Sequence, residues 1–254
     1  MELKNKSVLV TGSYRGTGQI IAESFAHEGA RVFFHSLEEP AEELSENGIT
    51  VWGDITTDAG ADQVFRQVSA EINQLDILIN NYGKATPGKW QSASIEDWRY
   101  IYEVNTLSIV RMIQRFSPSM QVGGRIINLG TIGSTRPNSV MPHYYSAKGA
   151  LATLTVSLAK ELGPKGITIN LVSPGLIRTP EVEAQYLKRA VEAGWGDDFE
   201  TAEEKITEEF FPNPMKRIAN REEVADVVLF LASGRASFVN GQNIRVDGGA
   251  VDIV

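Results

Sequence analysis

Of the seven tyrosines in the chain, only Tyr144 has a lysine four residues further on, Lys148. On a helix that spacing puts both side chains on one face. A phenol ordinarily titrates at about pH 10. A nearby ammonium favours the phenolate and lowers that value, most strongly out of water, so such a tyrosine could give or take a proton near neutral pH. In isolation the pair reads more simply as a surface Tyr/Lys contact. Tyr145 lies next door but has Gly149 at the same offset, so if one tyrosine is catalytic the lysine selects Tyr144. The pair gains weight from what precedes it. Gly124-Arg125-Ile126-Ile127-Asn128-Leu129-Gly130-Thr131 has the pattern of a buried strand ending in a hydroxyl residue, thirteen positions before Tyr144.

A second group of residues is suited to holding phosphate. The apolar run Val8-Leu9-Val10 leads into Thr11-Gly12-Ser13-Tyr14-Arg15-Gly16-Thr17-Gly18, followed by a helical period of Ile20, Ile21, Phe25 and Ala26 that stops at Gly29. This is strand, tight loop, helix. Glycines there let the backbone turn sharply and approach a ligand, and the free N–H groups and dipole of the helix start favour an anion. The spacing differs from Gly-x-Gly-x-x-Gly, and alone the three glycines read equally as an ordinary turn.

The elements that must position these groups alternate along the chain. Strand patterns fall at residues 7–10, 31–34, 49–52, 76–79, 125–129, 167–171 and 243–246, several as continuous apolar runs that suit strands covered on both faces. Helical periods lie between them. Val64, Phe65, Val68 and Ile72 share one face. Ala147, Leu151, Leu154, Leu158 and Leu162 form a stripe stopped by Gly163-Pro164, and Asn220-Arg221-Glu222-Glu223 reads as a capping box. The alternation predicts an α/β chain of one domain spanning 1–254, a doubly wound parallel sheet of about seven strands with helices on both faces. Residues 181–214 read as an irregular, acidic insertion. A solvated helix face explains the charge most simply, and the position between two core strands also suits a lid over a ligand crevice.

With 254 residues and 42% apolar content, the chain can bury a sizeable core. A net charge of −8 without a basic stripe argues against nucleic acid and anionic membranes. No cysteine is present, which removes disulfides and thiolate chemistry. No signal core or membrane-length apolar run is apparent, so a cytoplasmic protein is expected. Gly83-Lys84-Ala85-Thr86-Pro87-Gly88-Lys89-Trp90 mimics a phosphate-binding P-loop, but Trp90 stands where a metal-binding hydroxyl belongs and Pro87 removes an N–H. There is no Gly-x-Ser-x-Gly elbow. His27, His35 and His143 lack zinc spacing, so no metal is expected, and His143 reads as a rim residue. Trp90, Trp98 and Trp195 read as core or lid packing.

In order and spacing, Thr11-Gly12-x-x-x-Gly16-x-Gly18, Asp54-Ile55, Asn80-Asn81-Tyr82-Gly83, Asn105, Thr131, Tyr144-x-x-x-Lys148, Pro174-Gly175 and Asp247-Gly248-Gly249 resemble the short-chain dehydrogenase/reductase family across nearly the whole chain. Its 3-oxoacyl thioester reductases and related ketoreductases are the nearest general type. The resemblance implies a Rossmann fold and hydride transfer between a nicotinamide and a carbonyl or secondary alcohol. It implies Tyr144 as acid/base, Lys148 lowering its pKa and holding the nicotinamide ribose, Thr131 on the substrate oxygen and Asn105 on a relay water. The loop of Gly12, Ser13, Tyr14, Arg15, Gly16 and Gly18 would hold the cofactor. Asp54 would face adenine and Asn80 the adenosine ribose, with Ile55 and Gly83 also among the cofactor-binding residues, and Ile177 and Thr179, after Pro174 and Gly175, would contact the nicotinamide end. Two departures stand out. Thr131 replaces the usual serine and restricts its rotamer. Tyr82 replaces the usual alanine, either crowding the cofactor or shaping the substrate crevice.

An acid at the end of the second strand would select NAD. That position is Ser36, and Arg15 is a cation suited to a 2′-phosphate, so NADP(H) is expected; Glu38 and Glu39 keep NAD(H) open. The rival readings are an NAD-dependent alcohol dehydrogenase, a nucleotide-binding sensor or scaffold without turnover, and, more weakly, an epimerase or dehydratase using bound cofactor. The family also implies a homo-oligomer, dimer or homotetramer, through helices near residues 98–120 and 144–162, with residues 250–254 available to an interface. Arg125 and Arg136 are too few to argue an acyl-carrier partner; a small-molecule substrate is expected, its shape set by residues 135–142 and 181–214.

Overall fold

A computed structural model describes residues 3–252. Met1, Glu2, Ile253 and Val254 lie outside them, and so does part of the 250–254 stretch considered for an interface. Seven parallel strands form one sheet: β1 (Ser7–Val10), β2 (Arg31–Ser36), β3 (Ile49–Trp52), β4 (Ile77–Asn80), β5 (Arg125–Leu129), β6 (Thr168–Pro174) and β7 (Asn243–Val246), in the order β3-β2-β1-β4-β5-β6-β7. Four strands have the expected bounds. β2 runs two residues further because His35 and Ser36 pair with Val51 and Trp52. β6 continues to Pro174 because Ser173 and Pro174 pair with Arg245 and Val246 of β7, and β4 sits one residue later than expected.

Successive side chains on each strand face opposite sides, and both sides are covered. Leu9, Phe33, Leu78, Ile126 and Ile169 pack under α2 (Asp58–Glu71), α4 (Ser108–Phe116) and α5 (Pro142–Leu162). Val8, Val10, Phe34, Ile79 and Ile127 pack under α1 (Gly16–His27) and α8 (Arg221–Ala232). α8 opens with the capping box of Asn220 and Glu223. The helix entering α4 is interrupted. α3 (Ile95–Tyr102) passes into a π turn at Glu103–Leu107, which buries Val104, Asn105 and Thr106. Such π turns frequently mark functional sites.

The insertion is more regular than the sequence suggests. It holds α6 (Pro180–Ala193), α7 (Phe199–Lys205) and a π turn at Ile206–Phe210. Thr179 accepts from Val182 N and Pro180 sets the first turn of α6; Gly194, at φ +72°, ends it. Asp198 caps α7 through Thr201 N. Asp197, Asp198 and Glu204 are exposed, while half-buried Glu203 accepts from Ile218 N; Ala190, Phe199, Ala202 and Ile206 form a small core of their own with Ile218.

β1 pairs with both β2 and β4, so the winding direction reverses at its carboxyl end, where open parallel sheets place a ligand crevice. Around this point α1 packs very close to the loop that precedes it. A Cβ on Gly18 would lie 2.2 Å from Asn81 Nδ2 and 2.6 Å from the Gly12 carbonyl oxygen. Gly18→Ala is therefore expected to cost about 1–3 kcal/mol through overpacking, whereas Gly149→Ala in α5, where a methyl meets nothing within 4 Å, should add about 0.5–1 kcal/mol from helix propensity. Leu151→Ala, at the buried centre of α5, should cost about 2–5 kcal/mol, against less than about 0.5 for exposed Val191→Ala; urea unfolding of the four variants measures all of these.

Candidate active site

The glycine-rich loop joins β1 to α1. Gly12 and Gly16 adopt φ +64° and +63°, and a Cβ on Gly16 would meet nothing within 4 Å, so the space above the loop is open. Arg15 precedes α1 in an extended conformation and gives no side-chain cap, which leaves the helix-start N–H groups to a ligand. Its exposed guanidinium lies over the Tyr14 ring, 5.2 Å from the centroid. Ser13 is buried and Ser36, at the end of β2, donates its hydroxyl to the Glu38 carbonyl. No carboxylate takes the Ser36 position.

The loop after β4 is bound to this one. Thr11 Oγ1 accepts from Asn81 N and Tyr82 N, both at 3.0 Å, and Asn81 Nδ2 donates to the carbonyls of Thr11 and Gly12 at 2.9 and 3.2 Å. Asn80, expected at a ribose, is fully buried instead, with Nδ2 donating to Asn128 Oδ1 at 2.8 Å across the β4–β5 pair. Ile55 likewise turns its side chain into the core, leaving exposed Asp54, held by Thr56, at the crevice. The Tyr82 ring packs beneath Gly12, whose added Cβ would stand 3.2 Å from it, and burial pushes its hydroxyl up to about 12. Tyr82 thus shapes the underside of the glycine loop and does not line the cavity beside Thr131.

At the carboxyl end of β5 the candidate chemical groups converge. Lys148 is buried and its Nζ donates to the Leu129 carbonyl at 2.8 Å. A Cβ on Gly83 would lie 2.9 Å from Asn105 Oδ1 and 3.1 Å from Lys148 Nζ, so only glycine lets these two side chains approach that turn undisturbed. Asn105 clamps the loop after β4: Oδ1 accepts from Lys84 N, while Nδ2 donates to the carbonyls of Lys84 and Ile101. One Oδ1 lone pair is all this amide retains for a water. Thr131 Oγ1 accepts from Gly133 N at 3.2 Å, so its own proton is available to a substrate.

The electrostatics correct one expectation. Burial pushes the Tyr144 hydroxyl up to about 12, with neighbouring Tyr145 adding to the shift, rather than Lys148 pulling it down. Burial also pushes Lys148 down to about 8. Its ammonium is directed at the Leu129 carbonyl, and burial is the main cause of both shifts. The lysine remains mainly protonated and the phenol fully so at neutral pH.

Beside Thr131 lies a cavity of about 420 Å³. One wall carries Thr131, Asn138 and Met141; the other carries Tyr186, Phe210 and Phe211 from the insertion. Tyr145 lines it too, its ring covering Gly133, where a Cβ would come within 2.1 Å. Gly175, after Pro174, is covered by the Phe211 ring, and its N donates to the Val246 carbonyl. Ile177 packs on the core and bridges to Ala219, and Thr179 caps α6, so both anchor the insertion at the crevice edge.

Other readings need revision. Trp90 is 74% exposed, edge-on to Trp98, and is not core; Trp195 does pack in the insertion against Phe210. His143 is buried under the loop after β4, with Nε2 3.4 Å from Thr86 Oγ1, and is not a rim residue. Arg125 is held by the carbonyls of Gly123 and Gly124, and Arg136 donates to the Ala250 carbonyl. Sequence reasoning pointed to the segments 135–142 and 181–214 without singling out Tyr186, Phe210 or Phe211, and it missed Tyr145 as a cavity wall, because no spacing rule says which residues of distant segments meet in space.

Comparison with known proteins agrees with this geometry. A family model described as enoyl-(acyl carrier protein) reductase matches residues 12–251. The chain is 35% identical over 261 residues to the uncharacterized oxidoreductase YvrD of Bacillus subtilis (strain 168), covering 99% of this chain and 98% of that protein. It is 30% identical over 256 residues to the 3-oxoacyl-(acyl-carrier-protein) reductase FabG of Escherichia coli (strain K12), covering 98% of each. The L-sorbose reductase of Gluconobacter frateurii, solved in complex with NADPH and L-sorbose, superposes with a TM-score of 0.90 at 31% identity over the whole of both chains. A parallel seven-stranded sheet wound as found here, with a Tyr-x-x-x-Lys helix beside it and relatives matching end to end, makes this chain a member of the short-chain dehydrogenase/reductase family.

Proposed function

We propose that the chain is an NADP(H)-dependent oxidoreductase of the ketoreductase type, interconverting a carbonyl compound and a secondary alcohol with Tyr144 as acid/base. The observation that carries this reading is the arrangement at the end of β5. A buried Lys148 ammonium and the Asn105 amide flank Gly83, with Thr131 just past the end of β5 and Tyr144 one helical turn before Lys148.

The residues present fit a nicotinamide dinucleotide. The open glycine loop and uncapped start of α1 suit its pyrophosphate. Arg15, with no acid at Ser36, suits a 2′-phosphate, and the NADPH held by the L-sorbose reductase supports the same choice. When bound, this cofactor supplies the hydride.

The chain's own residues handle the proton. In the reducing direction, the Tyr144 hydroxyl gives its proton to the carbonyl oxygen as the C=O π bond opens. Thr131 donates a hydrogen bond to that oxygen, and the Lys148 ammonium offsets the charge left on the phenolate. A hydroxyl pushed up to about 12 rests in the protonated form, as the acid of a reduction requires. In the oxidising direction the same proton returns to Tyr144 from the alcohol.

Residues 181–214 act as a lid within a single domain, since α6 and the turn at Phe210 close the cavity opposite Thr131. The chain assembles as a homo-oligomer, a reading that exposed Leu107 and Val156 on the helices named above support. Sedimentation at micromolar concentration tests it; a monomer would refute it.

Tyr144→Phe should lower kcat by about 10²–10⁴-fold while fluorescence titration still detects NADPH binding; full activity in that variant would overturn the assignment. Across a panel of ketones, quinones and acyl thioesters, KM should be lower for NADPH than for NADH. Arg15→Ala should raise the KM for NADPH by about tenfold, the loss of one charge-assisted phosphate contact, and leave that for NADH nearly unchanged.

A further inference from the structure

We infer that His35 is a positioning residue for cofactor binding: its buried imidazole ties the glycine-rich loop to the turn at Gly53-Asp54, fixing the crevice between them. This rests on the cofactor reading above. His35 lies on β2 and is fully buried. Its Nδ1 accepts from Gly12 N at 2.9 Å, and its Nε2 lies 3.0 Å from the Gly53 carbonyl oxygen. A backbone N–H can only donate and a carbonyl can only accept, so the imidazole must carry its proton on Nε2 and none on Nδ1. Burial, which pushes the group down to about 4, keeps it in that neutral form.

The two bonds join the segments that border the proposed binding site. On one side, Gly12 opens the loop that borders the open space at Gly16. On the other, Gly53 precedes the exposed Asp54, and a Cβ on Gly53 would lie 2.5 Å from the Gly60 carbonyl oxygen, so this turn is wedged against the start of α2. The imidazole therefore transmits the fixed position of α2 to the first glycine of the loop. Backbone bonds brace the same place: Ser13 N donates to the His35 carbonyl at 3.0 Å, and His35 N donates to Ser13 Oγ at 2.8 Å. These do not depend on the side chain at position 35. Losing the imidazole leaves the strand pairing in place but strands a buried Gly12 N–H, which the peptide can satisfy only by rotating. Rotation there disturbs the phosphate cradle without touching Tyr144, Lys148 or Thr131.

The two ring nitrogens can be tested separately. His35→Asn keeps an acceptor near Nδ1 and loses the contact to Gly53; His35→Gln keeps a donor near Nε2 and loses the contact to Gly12; His35→Leu loses both. Each is measured for NADPH Kd by fluorescence titration, for kcat at saturating NADPH and for Tm. His35→Leu is expected to raise Kd by about tenfold or more, the scale of one stranded buried N–H, with kcat changed by less than about twofold. His35→Asn should bind more tightly than His35→Gln even where the two share a Tm. Should His35→Leu fail to fold, the ordering of Asn and Gln decides. Equal Kd for Asn and Gln, or a Kd for Leu that matches the unaltered protein while Tm falls, would show a filler and overturn the inference alone. An unaltered protein that binds neither NADPH nor NADH would overturn the cofactor reading and this inference with it.

Discussion

A single hydroxyl holds the two loops on which the rest of the crevice is built. Thr11 Oγ1, buried at the end of β1, accepts the N–H groups of Asn81 and Tyr82 and reaches back to the Ile79 carbonyl. Asn81 completes the knot through the carbonyls of Thr11 and Gly12. These groups lie where parallel strands end, and buried backbone groups left without partners are costly. One side chain from each loop satisfies the other loop's backbone, so neither loop can move alone. The absent Cβ of Gly18 follows from the same knot, because α1 has to start against the Asn81 amide.

From that fixed point the chemistry is laid along the carboxyl edge of the sheet. β5 ends at Leu129, whose carbonyl receives the Lys148 ammonium, and Thr131 follows two residues later. Burying an ammonium is unfavourable unless hydrogen bonds compensate, and here its desolvation shows as a lowered affinity for the proton. The phenol beside it responds in the opposite sense for the same reason: burial disfavours whichever form is charged. Tyr144 and Lys148, one helical turn apart, are therefore each shifted by burial toward the neutral form.

The cavity next to these groups belongs to two parts of the chain. The segment after β5 brings Thr131, Asn138 and Tyr145, while the insertion after β6 brings Tyr186, Phe210 and Phe211. The insertion is folded around its own small core and is anchored through Phe211 on Gly175 and Arg178 over Phe199, 4.3 Å from the ring centroid. Such a unit can vary in its walls without disturbing the sheet.

The strands, their doubly wound parallel arrangement and the Tyr144/Lys148 spacing were legible in the sequence, because they depend on local periodicity and short spacing: apolar runs such as 7–10 and 125–129 suit buried strands, and on a helix an offset of four puts two side chains on one face. The cap at Asn220 was legible for the same reason. Residue roles set by distant partners were not. Asn80 turning to Asn128, Asn105 clamping Lys84 and His35 spanning Gly12 and Gly53 each depend on a group about twenty or more residues away. The helices of the insertion were obscured because their apolar contacts are made within the insertion and with Ile218 rather than with the sheet. The sequence by itself thus determined the fold and the placing of Tyr144 and Lys148 one turn apart on a single helix. Only the tertiary structure decided which polar groups face the crevice and in which direction burial moves their protons, since desolvation and hydrogen-bond pairing exist only once the chain has closed around them.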